Sequence, residues 1–120
     1  MTKASKLLGT RGEQLAEHYL VENGYVILGR NCRVSKKEID LIARDKNVLV
    51  FCEVKTRRSN QHGLPIEAVT AQKLANMQTA ALEWLTHHRI RHSGIRFDVI
   101  GILLNIEGNC ELNHIKGVTG

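Results

Sequence analysis

Apolar and polar positions along the chain follow two different periods, and the changes of period mark its elements. From Leu7 to Asn23 the residues Leu15, Ala16, Tyr19 and Leu20 fall on one helical stripe, and Gly24 stands where a left-handed cap ends a helix. Tyr25–Leu28 is short, apolar and β-prone, Glu38–Ala43 alternates, and Val48–Val54 is a nearly continuous apolar run rich in β-branched residues. These segments predict three successive strands. Asp45-Lys46-Asn47, between the last two, predicts a tight hairpin. Arg57–Leu64 is polar and reads as an exposed loop, after which Pro65 opens helical sequence. Leu74, Met77, Ala81, Trp84, Leu85 and His88 then recur at steps of three and four, predicting a long amphipathic helix that ends near His88 with Thr70 as its N-cap. Ile95–Leu104 predicts another strand, Glu107-Gly108-Asn109 a turn, and Cys110–Ile115 a last short strand. The order predicts an α/β fold: one domain over residues 1–120, with a mixed β-sheet flanked by helices.

Composition narrows the class. With 42% hydrophobic and 24% charged residues, ten Gly and one Pro in 120 residues, the chain is neither collagen-like nor low-complexity. No apolar run approaches membrane-spanning length and Met1–Leu8 lacks the apolar region of a signal peptide, so a cytoplasmic protein with no membrane association is expected. Lys and Arg number 17 against 12 Asp and Glu, a net charge of +5, which favours a polyanionic partner, nucleic acid foremost. One Trp, two Tyr and two Phe are too few for the stacking platform of a single-strand-binding sheet. Cys32, Cys52 and Cys110 contain no C-x-x-C and read as reduced, mostly buried thiols. His87, His88 and His92 lie at a helix end without the further ligands that zinc needs, so with Arg89 they read as cations complementing the helix dipole.

The candidate chemistry lies in the predicted hairpin. On a strand, Glu38 and Asp40 share one face and Ile39 and Leu41 the other; Glu53 and Lys55 likewise share a face of the next strand. A two-residue turn at Lys46-Asn47 pairs Asp45 with Val48 and, continued, sets Asp40 opposite Glu53 and Glu38 opposite Lys55. Three carboxylates and an ammonium at the end of so apolar a strand need compensation, because desolvating an unpaired carboxylate costs several kcal/mol. A hard cation supplies it: Mg²⁺ is usually bound by one or two carboxylates and keeps its other positions for water and phosphate. The simpler alternative is a cross-strand salt-bridge patch without a metal. Lys36, Lys37, Arg57, Arg58, Arg30 and Arg33 flank this region in sequence and suit either phosphate contacts or a solvated basic surface. Thr10-Arg11-Gly12-Glu13 has the form of a helix capping box. Asp98, two residues from Arg96, reads as the partner in an internal ion pair.

Taken in order, Gly12-Glu13 with Leu15-Ala16, Gly24-Tyr25 with Arg30-Asn31, Glu38-Ile39-Asp40-Leu41-Ile42, Val50-Phe51-Cys52-Glu53-Val54-Lys55-Thr56-Arg57, Gly63-Leu64-Pro65 with Glu67-Ala68-Val69 and Lys73, and Arg96-Phe97-Asp98-Val99 resemble the YraN-like family of small bacterial proteins. The resemblance spans essentially the whole chain. It implies a restriction-endonuclease-like fold, similar in core to archaeal Holliday-junction resolvases. By that resemblance Asp40 and Glu53 are metal-binding carboxylates, the carbonyl of Val54 is a further ligand, Lys55 is the catalytic lysine, and Glu13 is a first-helix catalytic glutamate. The family's usual Gly before Glu38-Ile39-Asp40 is Lys37 here, and Cys52 replaces a β-branched residue. The implied activity is a Mg²⁺- or Mn²⁺-dependent DNA endonuclease acting on branched or structured DNA, as a homodimer by analogy with resolvases. Two alternatives are a catalytically weak or inactive nucleic-acid-binding module on the same fold and a structural protein with a charged sheet edge.

Overall fold

A computed structural model of the chain describes residues 3–59, 63–105 and 107–118. Helix α1 (Lys3–Glu22) is followed by strands β1 (Val26–Val34), β2 (Lys37–Asp45) and β3 (Val48–Arg57), a 3₁₀ turn (Pro65–Ala68), helix α2 (Ala71–His87), and strands β4 (Gly94–Leu104) and β5 (Cys110–Ile115). The strands form one mixed sheet in the order β1-β2-β3-β4-β5, antiparallel except at β3–β4. Parallel neighbours need a crossover, and the 3₁₀ turn with α2 provides it.

Several local expectations are met. Gly24, at φ +88°, closes α1 by donating its N–H to Val21 O while Tyr25 N–H donates to Leu20 O. Thr70 caps α2, its Oγ1 accepting from Lys73 N–H at 3.2 Å. Asp45 pairs with Val48 across Lys46-Asn47, where Lys46 takes the left-handed φ of +56° that such a turn requires.

Other expectations are corrected. Helix α1 begins by Lys3, so Thr10 lies inside it and its hydroxyl donates to Lys6 O at 3.1 Å; the capping box does not form. Strand β1 continues past Leu28 to Val34 because it is an edge strand paired only with β2, and its solvated positions mask the alternation. Arg57 closes β3 rather than opening a loop, and residues 60–62 of the predicted loop lie outside the described residues.

The sheet is covered on both faces. On one, Ala16 and Leu20 of α1 pack with Leu41, Ala43, Val50, Cys52, Ile100 and Ile102. On the other, Leu74, Met77, Ala80, Ala81 and Trp84 of α2 pack over Ile39, Ile42, Leu49 and Phe51, the Trp84 ring meeting Phe51 edge-on at 5.8 Å. Each such Leu, Ile or Phe contributes about 1.5–3 kcal/mol relative to exposure. Two glycines set how closely the layers approach: a Cβ on Gly12 would lie 1.6 Å from Thr56 Oγ1, and one on Gly101 would lie 2.4 Å from Ile66 of the 3₁₀ turn.

Among the described residues, one charged side chain is wholly enclosed. Asp98 on β4 has 0% exposure. Arg96 Nε and Nη2 donate to its two oxygens at 2.9 and 2.8 Å, His114 Nε2 lies 2.7 Å away, and Gly117 N–H donates at 3.1 Å. Arg96 also reaches Asp45 Oδ2 and Tyr25 Oη, and His114 Nδ1 lies 2.9 Å from Tyr19 Oη. The predicted Arg96–Asp98 ion pair is thus the centre of a larger network.

Candidate active site

The β2–β3 ladder runs from Asp45↔Val48 to Leu41↔Cys52. The ladder stops there, so the expected pairings Asp40↔Glu53 and Glu38↔Lys55 are not part of it, and a side chain takes over from the backbone: Val54 N–H donates to Asp40 Oδ2 at 2.8 Å. The Asp40 and Glu53 carboxyls lie near enough that each acts on the other's titration. The expected Asp40–Glu53 convergence is therefore present.

Strict alternation fails at this point of β2. Ile39 packs under α2 and Leu41 under α1, although residues two apart share a face of a regular strand. Opposite the switch, Asn31 lies between the pairs Arg30↔Leu41 and Cys32↔Ile39 and has a φ of +47°. The local twist leaves Asp40 at the boundary between the two faces, where it senses groups from both sides.

From the α1 side comes Glu13. Gly12 lets the helix settle onto Thr56, and the next side chain is brought within the fields of Asp40 and Glu38, near Asn31. Burial, and next the Asp40 charge, raise its carboxyl to about 6, with Asn31 opposing them. With no capping box, this leaves Glu13 as a member of the acidic cluster.

From the α2 side comes Lys73, a residue that periodicity places only on the polar face of a helix. Burial, followed by the Asp40 charge, raises Glu53 to about 7, and Lys73 and Lys55 are the cations that oppose the rise. Asp40 is raised by burial as well, against the Val54 N–H bond. Lys55 stands two residues beyond Glu53 on β3, and among the described residues it forms no ion pair with Glu38, Asp40 or Glu53. The cross-strand salt-bridge patch is not formed.

The flanking cations divide. Lys36 and Lys37 line a cleft of about 220 Å³ together with Glu38, Glu53, Lys73 and Asn76. Arg33 is exposed on β1 opposite Glu38. Arg57 is half-buried, with its Nε unpartnered, and Arg58 is exposed. Arg30 is engaged in a fork with Glu17 of α1, its Nη2 at 2.8 Å from Oε2. His88, at the C-terminal end of α2, stacks on Trp84 with ring centroids 4.2 Å apart. Cys52 is buried, Cys32 half-buried and Cys110 exposed, all free thiols.

The site's oxygens suit a hard cation. Among the described residues, no three His, Cys, Asp or Glu side chains gather into a closed cage, but two carboxylates with a neighbouring backbone carbonyl make the partial, oxygen-only set that Mg²⁺ favours. Burial first, and then neighbouring carboxylates, hold Asp40 and Glu53 above the usual carboxylate range, so in the absence of a cation both groups resist ionising.

Among the described residues, no helix is long and apolar enough to cross a membrane. The profile of an uncharacterised protein family, UPF0102, matches residues 12–102. A UPF0102 protein of Arthrobacter is 43% identical over 97% of this chain and 98% of its own length, and one of Leifsonia xyli is 42% identical over 92% and 94%. A UPF0102 protein of Nocardioides is 43% identical over 92% of this chain and 90% of its own. Among solved structures, Pyrococcus furiosus SfsA in complex with Ca²⁺ aligns over 91% of this chain and 62% of that one, at 16% identity and a TM-score of 0.39. The family match and these relatives establish that the chain belongs to UPF0102.

Proposed function

We propose that this protein is a metal-dependent endonuclease of the restriction-endonuclease-like type, hydrolysing phosphodiester bonds in DNA. The observation that carries the reading is the Asp40–Glu53 pair: two carboxyls drawn together at the end of a ladder, held above the usual carboxylate range, with Lys55 beside them and an open cleft in front. Asp40, Glu53 and the Val54 carbonyl are the groups that would hold Mg²⁺ or Mn²⁺. When bound, such an ion acts as a Lewis acid toward the phosphoryl oxygen and makes water a stronger nucleophile.

The chain's own groups have the remaining roles. Lys55, as a cation, orients the attacking water and offsets negative charge growing on the phosphoryl oxygens. Glu13, with its acidity near 6, holds or accepts a proton at the α1 side of the cluster. Arg57, Arg58, Lys36, Lys37 and Arg33 meet backbone phosphates, Arg57 through the end of its guanidinium because its Nε is buried. Arg30, forked to Glu17, contributes to the positive field rather than to a contact. A dimer would match a branched substrate that presents two symmetric strands.

The test is cleavage of labelled linear, flap and four-way-junction DNA in Mg²⁺ or Mn²⁺ by the wild type, Glu53→Ala and Lys55→Ala. The expected result is metal-dependent cutting that falls by about 10²-fold or more in both variants. Binding without cutting by all three proteins would replace the nuclease with a DNA-binding module, and absence of both would remove DNA as the partner.

A further inference from the structure

The cleft beside Glu53 lies between two elements that are distant in sequence. On one side are Lys36 of the β1–β2 turn and Lys37 at the start of β2; on the other are the first turns of α2 carrying Lys73, Asn76 and Met77. Both walls are held. Ser35, at φ +57°, donates its hydroxyl to Glu83 Oε1 at 2.8 Å, tying the turn to α2. The Thr70 cap fixes the helical turn from which Lys73 projects.

Three lysines against the Glu38 and Glu53 carboxyls leave the lining net positive, and it suits an anion on its lysine side. Among the described residues, none of the three lysines is joined to a carboxylate in an ion pair. Asn76 Oδ1 accepts from Gln72 Nε2 at 3.1 Å, which leaves its amide to present donors. No aromatic ring lines the cleft, so it offers no face for stacking a base. At about 220 Å³ it is also smaller than the roughly 300–1,000 Å³ of pockets that enclose whole drug-sized ligands. A segment of sugar–phosphate backbone satisfies the charge, donor set and size.

We infer that this cleft seats the phosphodiester next to the one being cut, through Lys36, Lys37, Lys73 and Asn76, and so recognises the nucleic-acid backbone independently of sequence. The inference rests on the nuclease reading and narrows it: the substrate must present consecutive phosphodiesters. Lys73 has two functions here, cation for the neighbouring phosphate and counter-charge to Glu53.

The experiment is binding of a fluorescein-labelled DNA duplex by anisotropy in EDTA, across a salt series, with wild type, Lys73→Ala, Lys36→Ala and Arg89→Ala. Arg89 lies beyond the opposite end of α2 and controls for net charge. Lys73 and Lys36 are exposed, and matching melting temperatures confirm folding. Removing a cation that neutralises one phosphate should reduce the slope of log K against log salt by about 0.9, so both lysine variants fall by that amount and Arg89→Ala keeps the wild-type slope. Unchanged slopes in the lysine variants with binding intact overturn the subsite and leave the nuclease reading standing. Equal reductions in all three variants also overturn it, as a net-charge effect, and failure of wild type to bind removes the subsite together with its parent reading.

Discussion

Asp98 and Glu53 stand on neighbouring strands of the same sheet and both are withdrawn from water, yet their surroundings move their acidities in opposite directions. Burial raises the Asp98 carboxyl, but bonds from His114, Arg96 and the Gly117 N–H outweigh it and hold the group at about 2. Around Glu53 burial also dominates, the nearest charge is another carboxylate, and the group rises to about 7. The first region is complete in itself. The second has two buried carboxyls side by side that no ion pair neutralises, which is the condition expected where a cation completes the electrostatics.

Substitution should separate the two regions by sign. The largest effect is expected for Asp98→Asn, which leaves Arg96 with Asp45 and Tyr25 but without its bidentate partner and should cost about 3 kcal/mol in urea denaturation. A variant as stable as wild type would mean the network contributes specificity and no stability. In pH terms, Asp98 is depressed from 3.8 to about 2, so its stabilisation is present above the ordinary carboxylate range and is lost as pH falls through about 2.

Glu53→Gln should act the other way. Glu53 is raised from 4.5 to about 7, so the stability its protonated form confers is full below the ordinary value and is lost as pH rises through about 7. At about pH 8 the Gln variant should therefore be more stable than wild type by roughly 1–3 kcal/mol, and near pH 4 the advantage should vanish. Thermal melts across pH read this directly, and a Gln variant less stable at the alkaline end would show that Glu53 is already compensated.

Much of this contrast was legible in the chain. The Lys46-Asn47 turn fixes the register from Asp45↔Val48 to Leu41↔Cys52, which brings Asp40 and Glu53 to the same end of the ladder. Arg96 and Asp98 share a strand face by alternation, and Thr70 is a cap by residue type. What was hidden depends on tertiary contacts. The face switch at Asp40 needs the left-handed Asn31 on the facing strand, and Thr10 loses its capping role because α1 reaches back to Lys3, about two turns before the start that a Thr10 cap implies. Lys73 reaches Glu53 by way of a parallel crossover, which no local pattern encodes, although its place in the first turn after a Thr cap puts it near the strand ends. His114 enters the Asp98 network from the last strand, where an isolated His in an alternating run carries no sign of a partner.

The smallest expected shift bears most directly on the central claim that the Asp40–Glu53 cluster is built for a cation. Melting of wild type and Glu53→Gln at about pH 8, with and without Mg²⁺, compares the cluster with and without its second carboxylate. Mg²⁺ at about ten times its Kd should stabilise wild type by about 1.4 kcal/mol, a shift of a few degrees, and leave Glu53→Gln unmoved. Equal shifts in the two proteins, or none in wild type at any Mg²⁺ concentration, would contradict the account.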